Sequence, residues 1–118
     1  MTKLAMISQP MNGKTDEEIT ATRERAIAAL KEHGYEVVDS YFHDEFVNDK
    51  MPEETANKPI WFLSKSLEKM SLCEALYCCE GWQYARGCKI EHEVATQYGL
   101  EIIYPITADG EDIASLYE

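Results

Sequence analysis

The stretch KLAMISQPMNGKTDEE, residues 3–18, decides the fold of this chain. Lys3 to Ser8 form an apolar run of strand length, and Pro10 ends it because proline cannot continue a central ladder. Thr15 and Glu18 have the spacing of a capping box, in which each side chain satisfies a free backbone amide of the other residue. We therefore expect a buried strand, a glycine-containing loop and a helix that begins near Thr15.

A second strand follows this helix. The apolar stripe of the helix is formed by Ile19, Arg23 through its stem, Ala26, Ile27 and Leu30. His33-Gly34 is a typical helix stop, and Tyr35 to Val38 predicts a strand. Strand, helix and strand form a βαβ unit, which favours parallel pairing through a right-handed crossover.

The middle of the chain predicts a long loop and a second helix. The segment from Ser40 to Pro59 is acidic and aromatic without a clean period, which indicates a loop with room for a short helix. A helix is expected from Pro59 onward, because proline suits the first turn. Its apolar positions have helical spacing and are Ile60, Leu63, Leu67 and Met70.

A further strand, helix and strand complete the predicted fold. The strands are Cys73 to Cys79 and Leu100 to Pro105. The helix between them has apolar positions Ile90, Val94, Ala95 and Tyr98 and ends at Gly99. We predict an α/β fold, a three-layer Rossmann or flavodoxin-like parallel sheet of four or five strands with helices on both faces. Residues 1–118 are expected to form one domain, since the chain is too short for two cores.

Charge and composition exclude several classes of partner. The net charge of −11 repels nucleic-acid phosphates and anionic lipids, and the basic residues are scattered. Because of this charge we expect no nucleic-acid polymer and no membrane as partner. In addition, no segment approaches the roughly 20 apolar residues of a membrane span. The N-terminal apolar run meets Pro10 too soon for a signal peptide, which predicts a cytoplasmic protein. Cys78 and Cys79 should point to opposite faces of a strand, so the cysteines are expected to be free, mostly buried thiols.

Two loops leave the carboxyl ends of predicted strands, where parallel sheets bind ligands. The first loop contributes candidate substrate-binding residues Ser8, Gln9, Pro10, Met11, Asn12 and Gly13. Amides at a helix start suit a phosphate or a sugar hydroxyl. The alternative is an ordinary turn in which Ser8 and Asn12 bond their own backbone, and propensity alone favours that turn.

The second loop runs from Gly81 to Gly87 and carries unusual aromatics. Trp82 and Tyr84 lie in a polar connection, where Trp82 can stack on a nucleobase or, equally, cover the edge of the sheet. Arg86 and the two glycines complete the candidate binding residues of this loop.

Glu91 is the candidate catalytic residue. It lies four positions after Gly87, which predicts a place in the first helical turn, with Ala95 leaving space beneath it. A carboxylate there can attack an anomeric carbon, as in retaining glycoside cleavage. The alternative is an acid that is merely favoured by the helix dipole. His92 and Glu93 are assigned to packing or solvent. Thr96 stands where a zinc-binding HExxH motif would have its second His, so no metal is expected, and no cofactor is expected either.

Three motifs carry a resemblance to a known family. ISQPMNG at 7–13, CEALYCCEGW at 73–82 and RGCKIEHEVATQYGL at 86–100 resemble the DUF4406 proteins. These are similar to nucleoside 2-deoxyribosyltransferases and deoxynucleoside 5'-monophosphate N-glycosidases, and the match runs from Met1 to about Pro105.

The resemblance implies a site and a substrate. Glu91, Ala95 and Gly99 match the spacing of the enzymes' nucleophile helix, which implies Glu91 as nucleophile and a nucleoside or nucleotide as substrate. It also implies that the Ser8 to Gly13 loop contacts sugar or phosphate, that Trp82 lies near the base, and that the protein is a homo-oligomer.

Two positions depart from the enzymes' pattern. Ser66, eight residues before Glu74, stands where they carry an Asp that handles the base, and Ala85 stands where many relatives have a Ser. Arg86 is a candidate electrostatic substitute for that Ser. The missing Asp supports an alternative, a nucleotide-binding module that does no chemistry. A third interpretation, an interaction protein, would make the Trp82 and Tyr84 surface an interface.

Overall fold

A computed structural model describes residues 3–38 and 52–105 of the chain. In chain order the elements in this part are β1 (Lys3–Ser8), α1 (Asp16–Glu32), β2 (Tyr35–Val38), α2 (Lys58–Met70), β3 (Ala75–Cys78), a short 3-10 helix (Trp82–Tyr84), α3 (Arg86–Gln97) and β4 (Glu101–Ile103). Most of the predicted loop from Ser40 to Pro59 and the C-terminal tail lie outside the described residues. The predicted α/β fold is confirmed.

The four strands form one parallel sheet in the order β2-β1-β3-β4. The register places Met6 beside Val38 and Ser8 beside Cys78, which confirms the parallel βαβ unit. The third strand is shorter than predicted, because the ladder covers only Ala75–Cys78. The chain order reverses between β1 and β3, so the loops that follow these two strands meet at a topological switch point.

The sheet has a core on each face because side chains alternate along its strands. One face packs against α1 and contains Ala5, Ile7, Ala26, Leu30, Tyr35, Ala75, Tyr77 and Cys79. The other face packs against α2 and α3 and contains Met6, Met70, Leu76, Cys78 and Ala95. Cys78 and Cys79 therefore do point to opposite faces, as predicted.

Both predicted helix starts are confirmed by their caps. The amide of Glu18 donates to the Thr15 hydroxyl at 3.1 Å, and the amide of Thr15 donates to the Glu18 carboxylate at 3.4 Å. At the start of α2, the Asn57 side-chain oxygen accepts a hydrogen bond from the amide of Ile60 at 3.0 Å, with Pro59 in the first turn. These bonds satisfy amides that a helix start leaves free.

Three predicted apolar positions do not enter the core. Ile60 is 61% exposed, Tyr98 is 80% exposed and Ile90 is 38% exposed. Each outer helix packs on the sheet along one stripe, and in α3 that stripe is Cys88, Glu91 and Ala95. Among the described residues, no helix combines the length and the apolar composition needed to cross a bilayer.

Candidate functional site

The centre of the site is a hydrogen bond between the end of β1 and α3. The hydroxyl of Ser8 donates to the Glu91 carboxylate at 2.6 Å, and the two side chains are only 1% and 8% exposed. Ser8 is the last residue of β1, and strand alternation turns it to the same face as Met6, where α3 packs. The predicted catalytic residue and one predicted binding residue are therefore in direct contact.

Glu91 points inward because it belongs to the buried stripe of α3. Cys88, Glu91 and Ala95 are three and four residues apart, which places them on one face of the helix against the sheet. The prediction of a first-turn position is wrong. The helix already begins at Arg86, inside the predicted loop, so Glu91 lies in the second turn. An acid that is favoured only by the helix dipole is expected in the first turn, because the effect falls off beyond it.

The Ser66 hydroxyl of α2 influences the same carboxyl group. Hydrogen bonding by Ser66 lowers the pKa of Glu91 and so favours its ionised form.

The electrostatics of Glu91 combine two opposed effects. Burial raises the pKa of the Glu91 carboxyl above its ordinary value, since the charged form loses its hydration. The hydroxyls of Ser8 and Ser66 act in the opposite direction, because both donate to the carboxylate, and burial is the larger effect. The site holds a carboxylate that is sensitive to the loss of either hydroxyl.

The thiols of Cys88 and Cys78 lie on the same side of the sheet as this centre, and that of Cys79 lies on the other side. The pKa of Cys88 is raised to about 11, chiefly by burial. A hydrogen bond with Ser8 lowers this pKa, and the negative charge of Glu91 raises it. Burial raises the pKa of Cys78 still further and that of Cys79 to about 12. All four cysteines are free, and three are buried, as predicted.

The two predicted binding loops lie side by side. Gly81 has φ +89°, and a Cβ added there would lie 3.8 Å from Cγ of Pro10. Gln9 is buried and its Nε2 donates to the carbonyl oxygen of Ile19 at 2.6 Å, while its Oε1 has no hydrogen-bond partner among the described residues. Gln9 thus anchors the first loop on α1, on the side of the sheet opposite Glu91.

Trp82 is held by an aromatic stack. Its ring lies parallel to the imidazole of His92, with centroids 4.0 Å apart and planes 13° apart. Nε2 of His92 lies 2.7 Å from the hydroxyl of Tyr104, and burial lowers the pKa of His92, which favours the neutral ring. The prediction that His92 serves packing is confirmed. One face of Trp82 is occupied by His92, so a base would have to stack on the other.

The remaining predicted site residues are on the surface. The exposed ones are Met11, Asn12, Gly13, Arg86 and Gly87. Their binding roles stay predictions. Tyr84 is 85% exposed, and in the part of the chain that is described no group of three His, Cys, Asp or Glu side chains is arranged to hold a metal ion.

A comparison with protein families finds one match. The model described as "Domain of unknown function (DUF4406)" matches residues 3–104, most of the chain. The chain belongs to the DUF4406 family. The match spans every described strand and helix, so the Ser8–Glu91 pair lies inside the DUF4406 domain. Neither the curated proteins nor the solved structures provide a match.

Reasoning from the sequence missed two residues of this DUF4406 site. Ser66 was noted only as a departure from an enzyme pattern, and Cys88 only as a buried thiol. A signal existed for Ser66, because it lies four residues before buried Met70 and is a polar residue on the inward side of α2. No local pattern shows that Ser8 and Glu91 meet across 83 positions.

Proposed function

We propose that this protein cleaves or transfers the N-glycosidic bond of a nucleoside or nucleotide, with Glu91 as nucleophile. The observation that supports it is the buried carboxylate of Glu91, held by the Ser8 hydroxyl at 2.6 Å at the carboxyl end of β1. Ligands of open parallel sheets bind at this edge, and the switch point between β1 and β3 is the usual place.

The proposed reaction has two steps. The ionised Glu91 attacks C1' of the sugar, the C1'–N bond breaks with its electron pair moving to the base, and a glycosyl ester forms. Water or a second base then attacks C1' and releases the carboxylate, which gives hydrolysis or transfer respectively. The departing base also takes up a proton, and that proton comes from solvent or from the substrate side of the site.

The specificity elements of the proposal are the two loops. The exposed residues Asn12 and Gly13 precede α1, and Arg86 opens α3, so these positions are the candidates for holding a sugar hydroxyl or a phosphate. Trp82 is the candidate residue for stacking on the base. The similarity to deoxyribosyltransferases and nucleotide N-glycosidases that the motifs indicate belongs to this proposal.

A binding module without chemistry is the second candidate. The groups around Glu91 favour it, because they are the hydroxyls of Ser8 and Ser66 and the thiol of Cys88. None of the three is an acid that would protonate a leaving base efficiently at neutral pH, since the pKa of Cys88 is raised to about 11. In this alternative the loops at the carboxyl ends of β1 and β3 hold a nucleotide and release it unchanged.

The experiment is an assay of base release. The protein is incubated with a panel of nucleosides and 5'-monophosphates, and free base is followed by chromatography. We expect release by the wild type, a loss of at least about 100-fold in Glu91→Gln because the nucleophile is gone, and near wild-type activity in Glu93→Gln. Glu93 is the matched control, an exposed carboxylate two residues on in α3.

Two outcomes would refute the proposal, the first by excluding an enzyme and the second by excluding Glu91 as its nucleophile. If no substrate releases base while nucleotides raise the melting temperature, the binding module is correct. If Glu91→Gln releases base as fast as the wild type, another residue is the nucleophile.

A further inference from the structure

We propose that His92 is a positioning residue for Trp82: the neutral imidazole and the Tyr104 hydroxyl hold the indole in place for substrate binding, and protonation of His92 weakens that hold. The effect on substrate binding rests on the proposed function. The hold on Trp82 is a property of the folded protein, and it can be tested without a substrate.

Trp82 lies on the same side of the sheet as Glu91. Its side chain packs against the core cluster that contains Leu76 and Ala95, and Ala95 shares the buried stripe of α3 with Glu91. Trp82 follows Gly81 directly, in the loop that leaves the carboxyl end of β3. It is therefore an aromatic side chain at the edge of the sheet where ligands of parallel α/β folds bind.

Three rings meet at this position. The imidazole of His92 is stacked on the indole of Trp82, with centroids 4.0 Å apart and planes 13° apart. The ring centroid of Tyr104 lies 6.1 Å from that of Trp82 and 6.0 Å from that of His92, and Nε2 of His92 lies 2.7 Å from the Tyr104 hydroxyl. His92 belongs to α3 and Tyr104 follows β4, so the cluster joins the loop to two further parts of the fold.

The loop itself gives Trp82 local support. The amide of Trp82 donates to the carbonyl oxygen of Cys79 at 3.1 Å, and the amide of Tyr84 donates to that of Gly81 at 3.0 Å. These bonds shape the turn within the loop, where Tyr84 is 85% exposed and no residue of the 3-10 helix is fully buried. The stack on His92, in contrast, attaches the loop to α3.

The stack depends on the charge of His92. Burial lowers the pKa of His92 below its ordinary value of 6.5, and the charge of Glu93 has the opposite and smaller effect. The titratable groups near the ring are Glu93 on its own helix and the hydroxyl of Tyr104, and the indole that faces it from the loop carries no charge. The free energy of unfolding therefore falls as the pH drops from 6.5 through the pKa of the folded state, because the protonated ring gains by returning to water.

The fluorescence of Trp82 tests the hold directly. Trp61 is the other tryptophan of the chain, so in Trp61→Phe the emission comes from Trp82 alone. Quenching of this emission by acrylamide is measured against pH, and far-UV circular dichroism checks that the fold persists. We expect quenching to rise as the pH falls, with a midpoint below 6.5, since the protonated ring no longer protects the indole.

Four further substitutions in this background identify the group responsible. His92→Ala should be strongly quenched at every pH, and His92→Phe, which keeps a flat ring but cannot be protonated, should be weakly quenched at every pH. His33→Ala removes the exposed histidine that ends α1, and Glu91→Gln removes the neighbouring buried acid, so both should keep the transition. A transition that persists in His92→Ala or disappears in Glu91→Gln would overturn the inference, as would a midpoint above 6.5 or quenching that does not change with pH.

Kinetics separate this inference from the proposed function. If base release occurs, His92→Ala should raise KM about five- to tenfold with kcat nearly unchanged, because a poorly held stacking ring weakens binding and leaves the nucleophile intact. His92→Phe should bring KM back toward the wild-type value. An unchanged KM in His92→Ala would contradict the positioning role. If no substrate releases base, the proposed function fails, and the quenching experiment alone decides whether His92 holds Trp82.

Discussion

The buried carboxylate of Glu91 works against folding at neutral pH. Burial raises its pKa, so between pH 4.5 and the pKa of the folded state the folded protein holds a proton that the unfolded chain has already released. The free energy of unfolding therefore falls as the pH rises from 4.5, the ordinary pKa, through the pKa of the folded state. Below pH 4.5 the carboxyl is protonated in both states, and its burial as a charge costs no stability. A residue that costs stability and is nevertheless held by the Ser8 hydroxyl is typical of a functional site.

Glu91→Gln should therefore stabilise the protein. Glutamine keeps the shape and can accept the Ser8 hydrogen bond without a buried charge. We expect the melting temperature at pH 7 to 8 to rise by a few degrees, since about 1 kcal/mol moves the midpoint of a domain of this size by about 4 to 8 °C.

The dependence on pH is the control for that effect. The gain should shrink as the pH is lowered toward 4.5, because the wild-type carboxyl becomes neutral too. Calorimetry of the wild type, Glu91→Gln and Glu93→Gln at several pH values measures this. A gain that stays constant with pH, or one that Glu93→Gln shares, would show that the charge of Glu91 is not its cause.

At the scale of elements, the 3-10 helix between β3 and α3 depends on Gly81. Its φ of +89° is a left-handed conformation that costs other residues about 1 to 2 kcal/mol. The turn places Trp82 on His92, so strain there should affect the aromatic stack as well as stability.

Gly81→Ala and Gly87→Ala form a matched pair. Neither added Cβ meets an atom closer than 3.8 Å, but Gly87 lies in α3 at an ordinary helical conformation. In urea unfolding we expect Gly81→Ala to lose about 1 kcal/mol or more and Gly87→Ala to gain up to about 1 kcal/mol. Equal effects of the two substitutions would contradict a special backbone conformation at Gly81.

The elements were largely predictable from local signals. Thr15 and Glu18 marked the start of α1, Pro59 marked the start of α2, and the apolar run of β1 ended where Pro10 required. The start of α3 was not predicted, because its N-cap, Ala85, has no side chain that could cap the helix, and the following Arg86 and Gly87 resemble a loop. That error also moved Glu91 into the wrong turn.

At the scale of the whole molecule, parallel topology assembles the site. Parallel crossovers bring Ser8 of β1 and Glu91 of α3 together. The βαβ pattern predicted the edge of the sheet, whereas Glu91 was chosen as nucleophile from the resemblance to DUF4406 proteins, and that role stays a prediction. The Ser8–Glu91 hydrogen bond was not predicted, because it depends on how α3 packs across the sheet. The expected homo-oligomer stays a prediction.

Trapping of a covalent intermediate tests the central claim, that Glu91 is a nucleophile. The protein is incubated with 2'-deoxy-2'-fluoro nucleosides and their 5'-monophosphates, whose fluorine slows breakdown of a glycosyl ester, and its mass is measured before and after digestion. We predict a gain of one fluorinated sugar, with or without phosphate, on the peptide that contains Glu91, present in Glu93→Gln and absent in Glu91→Gln. An adduct on another residue, or base release with no adduct at Glu91, would contradict the account.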